Sequence, residues 1–468
     1  MLTKQDIAEL KENNVAELYQ LIKNHEKDKD LLFILSNLGR LPAGFDGSCL
    51  LPFLKSPNDN IRLSTVKNLG KLKNTAYLPL LTEMIQQDQN SMIRREAVSS
   101  IGRMRDVEAI PFLLTILQDD DPKVILQAIR ALLVFKSDEK VAAELKKLAN
   151  HANEMIQMVI DNEFLTVKKS SRNKAHHVES PDVMKNLVVH GDVNDALKHV
   201  PDESLHLTFT SPPYYNARDY SIYKSYKQYI EFLVTVFKEV HRVTKEGRFF
   251  IINTSPIIIP RFSRKYSSKR YPIPFDIHPH LIEMGWEFVD DIIWVKPETS
   301  VKNRNAGFFQ HRKPLAYKPN PVTEYVMVYR KKTHKLLDWN IKQYSQEVVD
   351  EGRIQGKYES SNAWKIDPVF DKVHSAVFPV ELCHRVIQFY SYKGDLVFDP
   401  FGGSGTVGKA AQHLERYFFL TEKEANYVER IKQNVTTSPR FKSKAPRVVT
   451  VEEFQTLISQ TVRGESVV

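Results

Sequence analysis

An internal repeat dominates the N-terminal third of this 468-residue chain. The apolar positions Val66, Val98 and Ile129 recur at intervals of 32 and 31 residues, within segments of helical spacing. Three segments with proline at their second position each predict a further helix with proline in its first turn: Leu51–Leu54, Leu78–Leu81 and Ile110–Leu113. Because one short helix pair cannot bury its apolar face alone, the repeat predicts an all-α solenoid of stacked neighbours.

The pattern resembles HEAT-like repeats over roughly residues 30–150, with helical caps on both sides. We therefore predict a HEAT-like helical repeat domain over residues 1–165. Concave surfaces of such solenoids often bind protein or nucleic acid. The pattern leaves open whether these repeats form a homodimer, hold a restriction endonuclease or another protein, or follow DNA.

Charge divides the chain at about the same place. Residues 1–165 hold 21 Lys+Arg and 23 Asp+Glu, and the remainder holds 45 and 34, so the net charge of +9 lies wholly in the C-terminal part. An excess of base allows a nucleic-acid or an acidic-membrane partner without separating the two. The polar, basic stretch 166–182, which includes His176 and His177, predicts a solvated linker.

From residue 185 onward, short apolar runs alternate with helical patterns. Strands are predicted at 187–190, 205–210, 249–252, 288–294, 324–330, 395–398 and 417–420. Helices are predicted around 230–240 and at 275–284, 379–391, 404–414 and 424–435. This alternation predicts an α/β domain with a mainly parallel sheet, in which ligands sit at the carboxyl ends of the strands.

A glycine loop, Asp399-Pro-Phe-Gly-Gly-Ser-Gly-Thr406, follows one predicted strand and opens a helix. Gly403 and Gly405 let the backbone turn tightly and approach a ligand closely. The loop lacks the Gly-Lys-Ser/Thr ending of a phosphate-binding loop and does not fit the dinucleotide fingerprint. About twenty residues further on, Glu422 ends the next strand, where an acid can accept hydrogen bonds from two ribose hydroxyls. Together these features predict a nucleoside cofactor site.

The turn Thr210-Ser-Pro-Pro-Tyr214 ends the strand 205–210. Its two prolines fix φ and remove two N–H donors, so the carbonyl before them is held as an outward acceptor. Ser211 adds a second acceptor and Tyr214 adds a planar face, which suits a flat ring with an exocyclic amine. In isolation the turn could merely end a strand, but beside the glycine loop it predicts a base-binding site.

These two motifs carry a resemblance, because residues 185–435 resemble an S-adenosylmethionine-dependent DNA amino-methyltransferase. The turn precedes the cofactor loop, as in the beta class, and serine before Pro-Pro is similar to the N4-cytosine enzymes, where adenine enzymes usually carry aspartate. Further segments similar to the family are Gly191-Asp192, Gly247–Phe250, Trp294–Lys296, Glu324–Tyr329 and His374–Pro379. The resemblance implies a seven-stranded, Rossmann-like methyltransferase sheet within 183–437, followed by a basic tail at 438–468.

The resemblance also implies residue roles. Ser211, Pro212, Pro213 and Tyr214 would be catalytic, with Ser211 Oγ and the Pro212 carbonyl holding the target amine and Tyr214 stacking on a flipped base. S-adenosyl-L-methionine would be bound by Asp192, Phe378, Pro379, Asp399, Phe401, Gly403, Gly405, Thr406 and Glu422. Glu424 is close enough to Glu422 to compete for the ribose. No metal site is implied.

Basic segments of the same part of the chain predict a surface for double-stranded DNA. Residues 261–271 interleave five basic residues with three aromatics, which can neutralise phosphates and stack on bases. The expected DNA contacts are Arg261, Arg264, Lys265, Lys269, Arg270, Arg312 and Lys313. Target recognition is expected within 256–275 and 300–365.

Other function classes are excluded or left open. The only cysteines, Cys49 and Cys383, fit neither a zinc cluster nor the nucleophile of carbon-5 methylation, and they favour a reducing compartment. The sequence contains no run of about eighteen apolar residues, so no membrane span is predicted. The leading hypothesis is a cytoplasmic, nucleoid-associated prokaryotic enzyme that methylates cytosine N4, in a restriction–modification or orphan system. An adenine-N6 enzyme, an RNA methyltransferase and a HEAT scaffold with a non-catalytic module are the alternatives.

Overall fold

The computed structural model describes residues 2–24, 27–42, 44–165, 176–215, 223–259, 263, 265–266, 268–300, 314–315, 319–356, 358–369, 379–435 and 446–463. The chain forms two compact units, Met1–Arg172 and Asn173–Val468, each with its own apolar core. Of the helices within these ranges, none combines the length and the apolar character needed to cross a membrane.

The first unit is helical throughout its described residues. Its α-helices are α1 Lys4–Asn13, α2 Val15–Lys23, α3 Asp28–Asn37, α4 Asp59–Leu72, α5 Leu78–Gln87, α6 Ser91–Met104, α7 Ile110–Thr115, α8 Pro122–Leu132, α9 Glu139–Lys146 and α10 Glu154–Ile160. Two of the predicted proline-initiated helices are α5 and α7. The third is part of the 3₁₀ helix Gly47–Lys55, where Pro52 lies inside the helix and disfavours α geometry.

Helices α4, α6 and α8 occupy equivalent positions in successive repeats. Their N-termini are capped by side-chain acceptors at equivalent positions, Asn58, Asn90 and Asp121. The repeated apolar positions of the sequence are buried in the core: Val66, Val98 and Ile129. Both the buried core positions and the N-terminal caps therefore recur from repeat to repeat, as expected of a stacked solenoid.

The second unit is built on a sheet that has nine strands among the described residues. The strands are β1 Leu187–His190, β2 Leu205–Thr210, β3 Thr244–Thr254, β6 Trp286–Val295, β7 Thr323–Lys331, β8 Ala363–Lys365, β9 Leu396–Asp399, β10 Tyr417–Glu422 and β11 Arg447–Thr450, while β4 Ile257–Ile259 and β5 Lys269–Tyr271 form a separate hairpin. Their order in the sheet is β11-β1-β10-β9-β2-β3-β7-β6-β8. Within this nine-stranded sheet, the two pairs that include β7 are antiparallel and all the other pairs are parallel. The predicted mainly parallel sheet is therefore confirmed.

Helices cover both faces of this sheet. The remaining helices are α11 Val193–Leu197, α12 Tyr226–Val243, α13 Ile273–Glu283, α14 Leu337–Ile341, α15 Gln346–Glu351, α16 Val380–Tyr390, α17 Thr406–His413, α18 Ala425–Val435 and α19 Val451–Arg463. One core contains residues of α11, α12, α13 and α19, and the other contains residues of α16, α17 and α18. This is the layered arrangement expected of an α/β domain.

The sheet extends beyond residue 437, where the sequence analysis placed the end of the domain. Strand β11 pairs in parallel with β1, and the Phe454 side chain of α19 is fully buried with its ring 5.5 Å from that of Phe419. The segment 446–463 is therefore part of the sheet and its core rather than a tail. The additional strands β8 and β11 also explain why the count exceeds the seven that were expected.

Two further segments differ from the sequence prediction. In the predicted linker, His177 is half-buried, donates its backbone N–H to Gln343 (3.1 Å) and packs edge-on against Trp339. Burial lowers its pKa to about 4. In the predicted recognition region, Tyr344 donates to Asp395 Oδ1 at 2.6 Å, beside a buried ion pair between Arg248 and Asp395. Because Asp395 lies just before β9, residues 337–344 are at the amino edge of the strands, opposite the candidate site described next.

Candidate active site

The sheet brings the proline turn and the glycine loop together. Strands β2 and β9 are parallel neighbours, so their carboxyl ends meet at one edge. The Thr210 hydroxyl donates to Asp399 Oδ1 at 2.6 Å, and both side chains are buried. Two motifs that are 189 residues apart in sequence are thus joined by one buried hydrogen bond.

The glycine loop has the backbone conformation that its sequence predicts. Gly403 and Gly405 have φ values of 51° and 79°, in the left-handed region that favours glycine. A Cβ at Gly405 would lie 3.1 Å from Ile431 side-chain atoms, so the loop packs closely on α18. Burial raises the pKa of Asp399 to about 7, although hydrogen bonds from Thr210 and the Phe401 N–H oppose the rise.

Glu422 contacts this loop directly. Its Oε2 accepts the Gly403 N–H at 2.7 Å and its Oε1 accepts the Glu424 N–H at 2.9 Å, and burial raises its pKa. A carboxylate oxygen has more than one lone pair, so this half-buried group can still accept two hydroxyls. The Glu424 carboxylate instead lies 3.9 Å from the Lys423 ammonium, so Glu422 is the acid whose side chain contacts the glycine loop.

Asp192 lies beside the end of β10, next to a group of aromatic rings. The Gly191 N–H donates to the Glu422 carbonyl at 2.9 Å, and exposed Asp192 caps α11 by accepting the Asn194 N–H. The ring of Phe232 lies 5.6 Å from that of Tyr223 and 6.0 Å from that of Phe401. Burial and then the charge of Asp192 raise the pKa of Tyr223 to about 12, which places this ring near the acid.

Tyr223 and Phe232 were not singled out in the sequence. Phe232 is an aromatic residue that lies off the apolar stripe of the predicted helix. An aromatic side chain outside that stripe was the sequence signal that could have marked it as a site residue.

Tyr214 of the proline turn is held by a carboxylate. Its hydroxyl donates to Glu324 Oε2 at 3.0 Å, and burial followed by the charge of Glu324 holds the pKa of Tyr214 well above its usual range. Pro212 is buried, whereas Ser211 and Tyr214 are partly exposed. The two residues expected to meet the base are therefore accessible at the edge of the sheet.

Three polar residues to which the sequence assigned no role surround this turn: Asn253, Lys296 and Glu324. Lys296 and Glu324 lie in segments noted above as similar to the family. The Asn253 amide donates to Glu324 Oε2 at 2.7 Å and lies 3.5 Å from Ser211 Oγ, and Lys296 Nζ lies 2.6 Å from Glu324 Oε1. The side-chain carbonyl oxygen of Asn253, Oδ1, is buried and has no hydrogen-bond partner in the described part of the chain. The antiparallel β7 starts at the edge where β3 and β6 end, which groups these residues.

The basic hairpin β4–β5 reaches the same turn. The ring of Tyr271 lies 5.3 Å from that of Tyr215, the residue directly after Tyr214. Lys265, Lys269 and Arg270 are exposed, and the Lys269 ammonium lies 4.6 Å from the centroid of the Tyr271 ring. Cations of this hairpin thus stand beside the candidate base site.

The remaining predicted residues are distributed as follows. Thr406 begins α17, and its hydroxyl lies 3.1 Å from that of Ser404. Pro379 precedes α16. Five predicted residues lie outside the described residues: Arg261, Arg264, Arg312, Lys313 and Phe378.

Neither metal nor thiolate chemistry has candidate residues in the described ranges. No group of three or more His, Cys, Asp or Glu side chains there is arranged to hold a metal ion. Burial raises the pKa of Cys49 to about 11 and that of Cys383 well above its usual range. Both thiols are therefore poor nucleophiles.

Comparisons with known proteins agree with this geometry. Residues 205–433 match the family model described as DNA methylase, and residues 48–133 match the model described as HEAT repeats, which confirms the predicted repeats. Type II methyltransferase M.MwoI of Methanothermobacter wolfeii is 30% identical over 257 residues, which are 53% of this chain and 33% of that protein. This chain therefore spans about a third of the length of that relative.

Two further proteins extend the comparison. Type II methyltransferase M.Cfr9I of Citrobacter freundii is 28% identical over 299 residues, which are 56% of this chain and 93% of that protein. Among solved structures, PvuII DNA methyltransferase (cytosine-N4-specific) is 18% identical with a TM-score of 0.40, and the match covers 60% of this chain and 96% of that one.

Proposed function

We propose, from the premise that residues 205–433 belong to the DNA methylase family, that this protein transfers a methyl group from S-adenosylmethionine to N4 of cytosine in duplex DNA. One observation carries the proposal: the buried Thr210–Asp399 hydrogen bond joins the base-binding turn to the glycine loop. A methyl donor and a base bound at these two motifs would be neighbours. The names of the relatives, type II methyltransferases, support a role as the modification enzyme of a restriction–modification system.

The chain's own residues fit S-adenosylmethionine. The partly exposed Glu422 carboxylate would accept the ribose hydroxyls, and Asp192 with the rings of Phe232 and Phe401 would hold the adenine. The left-handed glycines of the loop let the main chain approach the remainder of the cofactor. When bound, this cofactor supplies an activated methyl group on a sulfonium.

The base-binding turn would orient the acceptor nitrogen. The lone pair of an exocyclic amine is delocalised into the ring, so the nitrogen is a poor nucleophile. Hydrogen bonds from the amine to Ser211 Oγ and the Pro212 carbonyl favour a pyramidal nitrogen and stabilise its developing positive charge. A base inside the duplex cannot reach these acceptors, so it must first leave the stack. Tyr214 would then stack its ring on the flipped base.

Glu324 would act as a positioning residue in this step. It accepts from Tyr214 and from Asn253, and it pairs with Lys296 at 2.6 Å, so its carboxylate holds the turn in one geometry. Alignment of nitrogen, methyl group and sulfur supplies much of the rate enhancement in a direct displacement. A rigid turn therefore contributes directly to the rate.

Adenine N6 is the second candidate acceptor. It is favoured by the generality of the pocket, because any flat ring with an exocyclic amine offers the same N–H donors. Ser211 supports cytosine, since adenine enzymes of this type usually carry aspartate at that position.

Sequencing of modified DNA tests the proposal. The protein is expressed in a methylation-deficient host, and the genome is sequenced by single-molecule reads that detect modified bases. N4-methylcytosine at a short motif is expected, whereas N6-methyladenine would support the second candidate. Absence of any mark, together with absence of S-adenosylmethionine binding in calorimetry, would refute both.

A further inference from the structure

One face of the helical repeats is formed by the equivalent helices α4, α6 and α8. On α4 this face carries Asn60, Ser64, Lys67 and Lys71. The matching positions of the next two repeats follow at intervals of 32 and 31 residues: Met92, Glu96, Ser99 and Arg103 on α6, Lys123, Gln127 and Arg130 on α8, and Val134 in the 3₁₀ turn Leu133–Phe135 that follows α8. None of these twelve positions is buried. We call them the inner-helix face.

The three helices pack closely side by side. The Ser100 hydroxyl of α6 donates to the Val66 carbonyl of α4 at 3.2 Å. A Cβ at Gly102 of α6 would lie 2.8 Å from that of Ala131 on α8. The inner-helix face is therefore one continuous surface about 20 Å wide, since packed helices are roughly 8–10 Å apart.

The charge of this face is opposite to the net charge of residues 1–165 as a whole. The unit's residues 1–165 have a net charge of −2, but the face carries five cations and one anion. The cations are Lys67, Lys71, Arg103, Lys123 and Arg130, and the anion is Glu96. The face is therefore +4, which leaves −6 on the rest of residues 1–165.

Four of these five cations lack a carboxylate partner among the described residues. The described ion pairs of this unit join Arg62 to Asp59 and Asp88, Arg94 to Asp119, Lys136 to Glu163 and Lys147 to Glu144, and on the face itself Arg103 to Glu96. Within the same described residues, four face cations are exposed and have no acid within ion-pair distance: Lys67, Lys71, Lys123 and Arg130. The pKa of Lys71 is lowered by partial burial and then by Arg103, Lys11 and Lys67, so like charges are crowded here.

We propose that the inner-helix face binds the phosphate backbone of duplex DNA. Each DNA strand presents a charge about every 3.4 Å along the axis, so a face of this width meets several phosphates. Exposed lysines act as point charges without demanding one ligand geometry, which suits contacts that do not read sequence. The choice of DNA over an acidic protein rests on the proposed function, which already has this chain acting on DNA.

Salt dependence of binding tests the proposal. The full-length chain is compared with a triple variant, Lys67→Gln, Lys71→Gln and Arg130→Gln. The control removes the same charge from exposed lysines elsewhere on the repeats: Lys55→Gln, Lys140→Gln and Lys146→Gln. Affinity for a long duplex of random sequence is measured by fluorescence anisotropy over a range of salt concentrations, and far-ultraviolet circular dichroism checks that all three proteins are folded.

Each lost phosphate contact is expected to reduce the magnitude of the slope of log affinity against log salt by ~0.9. The slope of the face variant, which loses three cations, should therefore be smaller in magnitude by up to ~2.7. Between ~50 and ~200 mM salt this difference corresponds to roughly a 40-fold smaller loss of affinity than in the unsubstituted chain. The control should keep the original slope. An unchanged slope in the face variant, or an equal change in the control, would overturn the proposal.

This test and the test of the proposed function fail separately. A protein that methylates DNA but whose slope is insensitive to the face variant would refute only the role of the inner-helix face. A protein whose face carries the slope, but which leaves no methyl mark and binds no S-adenosylmethionine, would refute only the proposed function.

Discussion

The substitution Thr210→Val removes one hydroxyl and keeps the shape of the side chain. Thr210 is fully buried, and its hydroxyl donates to Asp399 Oδ1 at 2.6 Å. The pKa of Asp399 is about 7, so at pH 8 this carboxyl is mostly ionised in the folded protein. A hydrogen bond to a charged group contributes about 1.5–3 kcal/mol. We therefore expect the free energy of unfolding to fall by about 2 kcal/mol at pH 8.

The cost should be smaller at pH 5. Asp399 is then protonated, and a hydrogen bond between neutral groups contributes only about 1 kcal/mol. In the unsubstituted protein, the pKa of Asp399 is raised from 3.8 in the unfolded chain to about 7 in the folded one, so between these values the folded state binds the additional proton. The contribution of this group to stability is therefore greatest below pH 4 and falls as the pH rises through 7, by roughly 4 kcal/mol in total.

Tryptophan fluorescence during urea denaturation measures the effect in the second unit alone, because all four tryptophans lie there: Trp286, Trp294, Trp339 and Trp364. Thr208→Val is the matched control in the same strand. The Thr208 hydroxyl is buried without a hydrogen-bond partner among the described residues, so its removal should be neutral or slightly stabilising. Equal losses from Thr210→Val at pH 5 and pH 8, or an equal loss in the control, would refute the reasoning.

Three further predictions concern the site and the core. Ser211→Ala should lower turnover by about 10²-fold or more while leaving cofactor affinity in calorimetry nearly unchanged, and equal loss of both would show that the turn is misassigned. Glu422→Gln should weaken S-adenosylmethionine binding at least tenfold because a ribose acceptor is lost, whereas Glu424→Gln should not. Phe454→Ala should destabilise the second unit by about 3–5 kcal/mol in the same fluorescence assay, and Phe288→Ala, which is 41% exposed, should cost much less.

Local sequence patterns predicted the elements that are self-contained. Strands β1 and β2 were predicted with their observed bounds, because each is an apolar run closed by a turn or a glycine. The turn at Ser211 and the glycine loop were found from residues adjacent in sequence. That these motifs meet followed only from the rule that ligands bind at the carboxyl ends of parallel strands.

Features that depend on non-local pairing were missed. Glu324 is the second residue of β7, and only the antiparallel pairing of β7 with β3 and β6 brings it to Asn253 and Lys296. The burial of Phe454 depends on its contact with Phe419, which no local pattern around 446–463 reveals. Likewise, the basic character of the inner-helix face is hidden by the negative total charge of residues 1–165.

The position of β11 has a consequence for the solubility of shortened chains. Without β11, the parallel neighbour on one side of β1 would be absent, and the N–H and C=O groups of the alternate residues that face it, among them Val188, would form a free edge. The side chains of Leu187, Val188 and Val189 are fully buried in the folded protein, so the exposed edge would be apolar and open to a strand from another molecule. Strand β11 thus protects the molecule against intermolecular sheet growth. With β11 present, this strand forms the edge of the sheet, and Arg447 places a charge there.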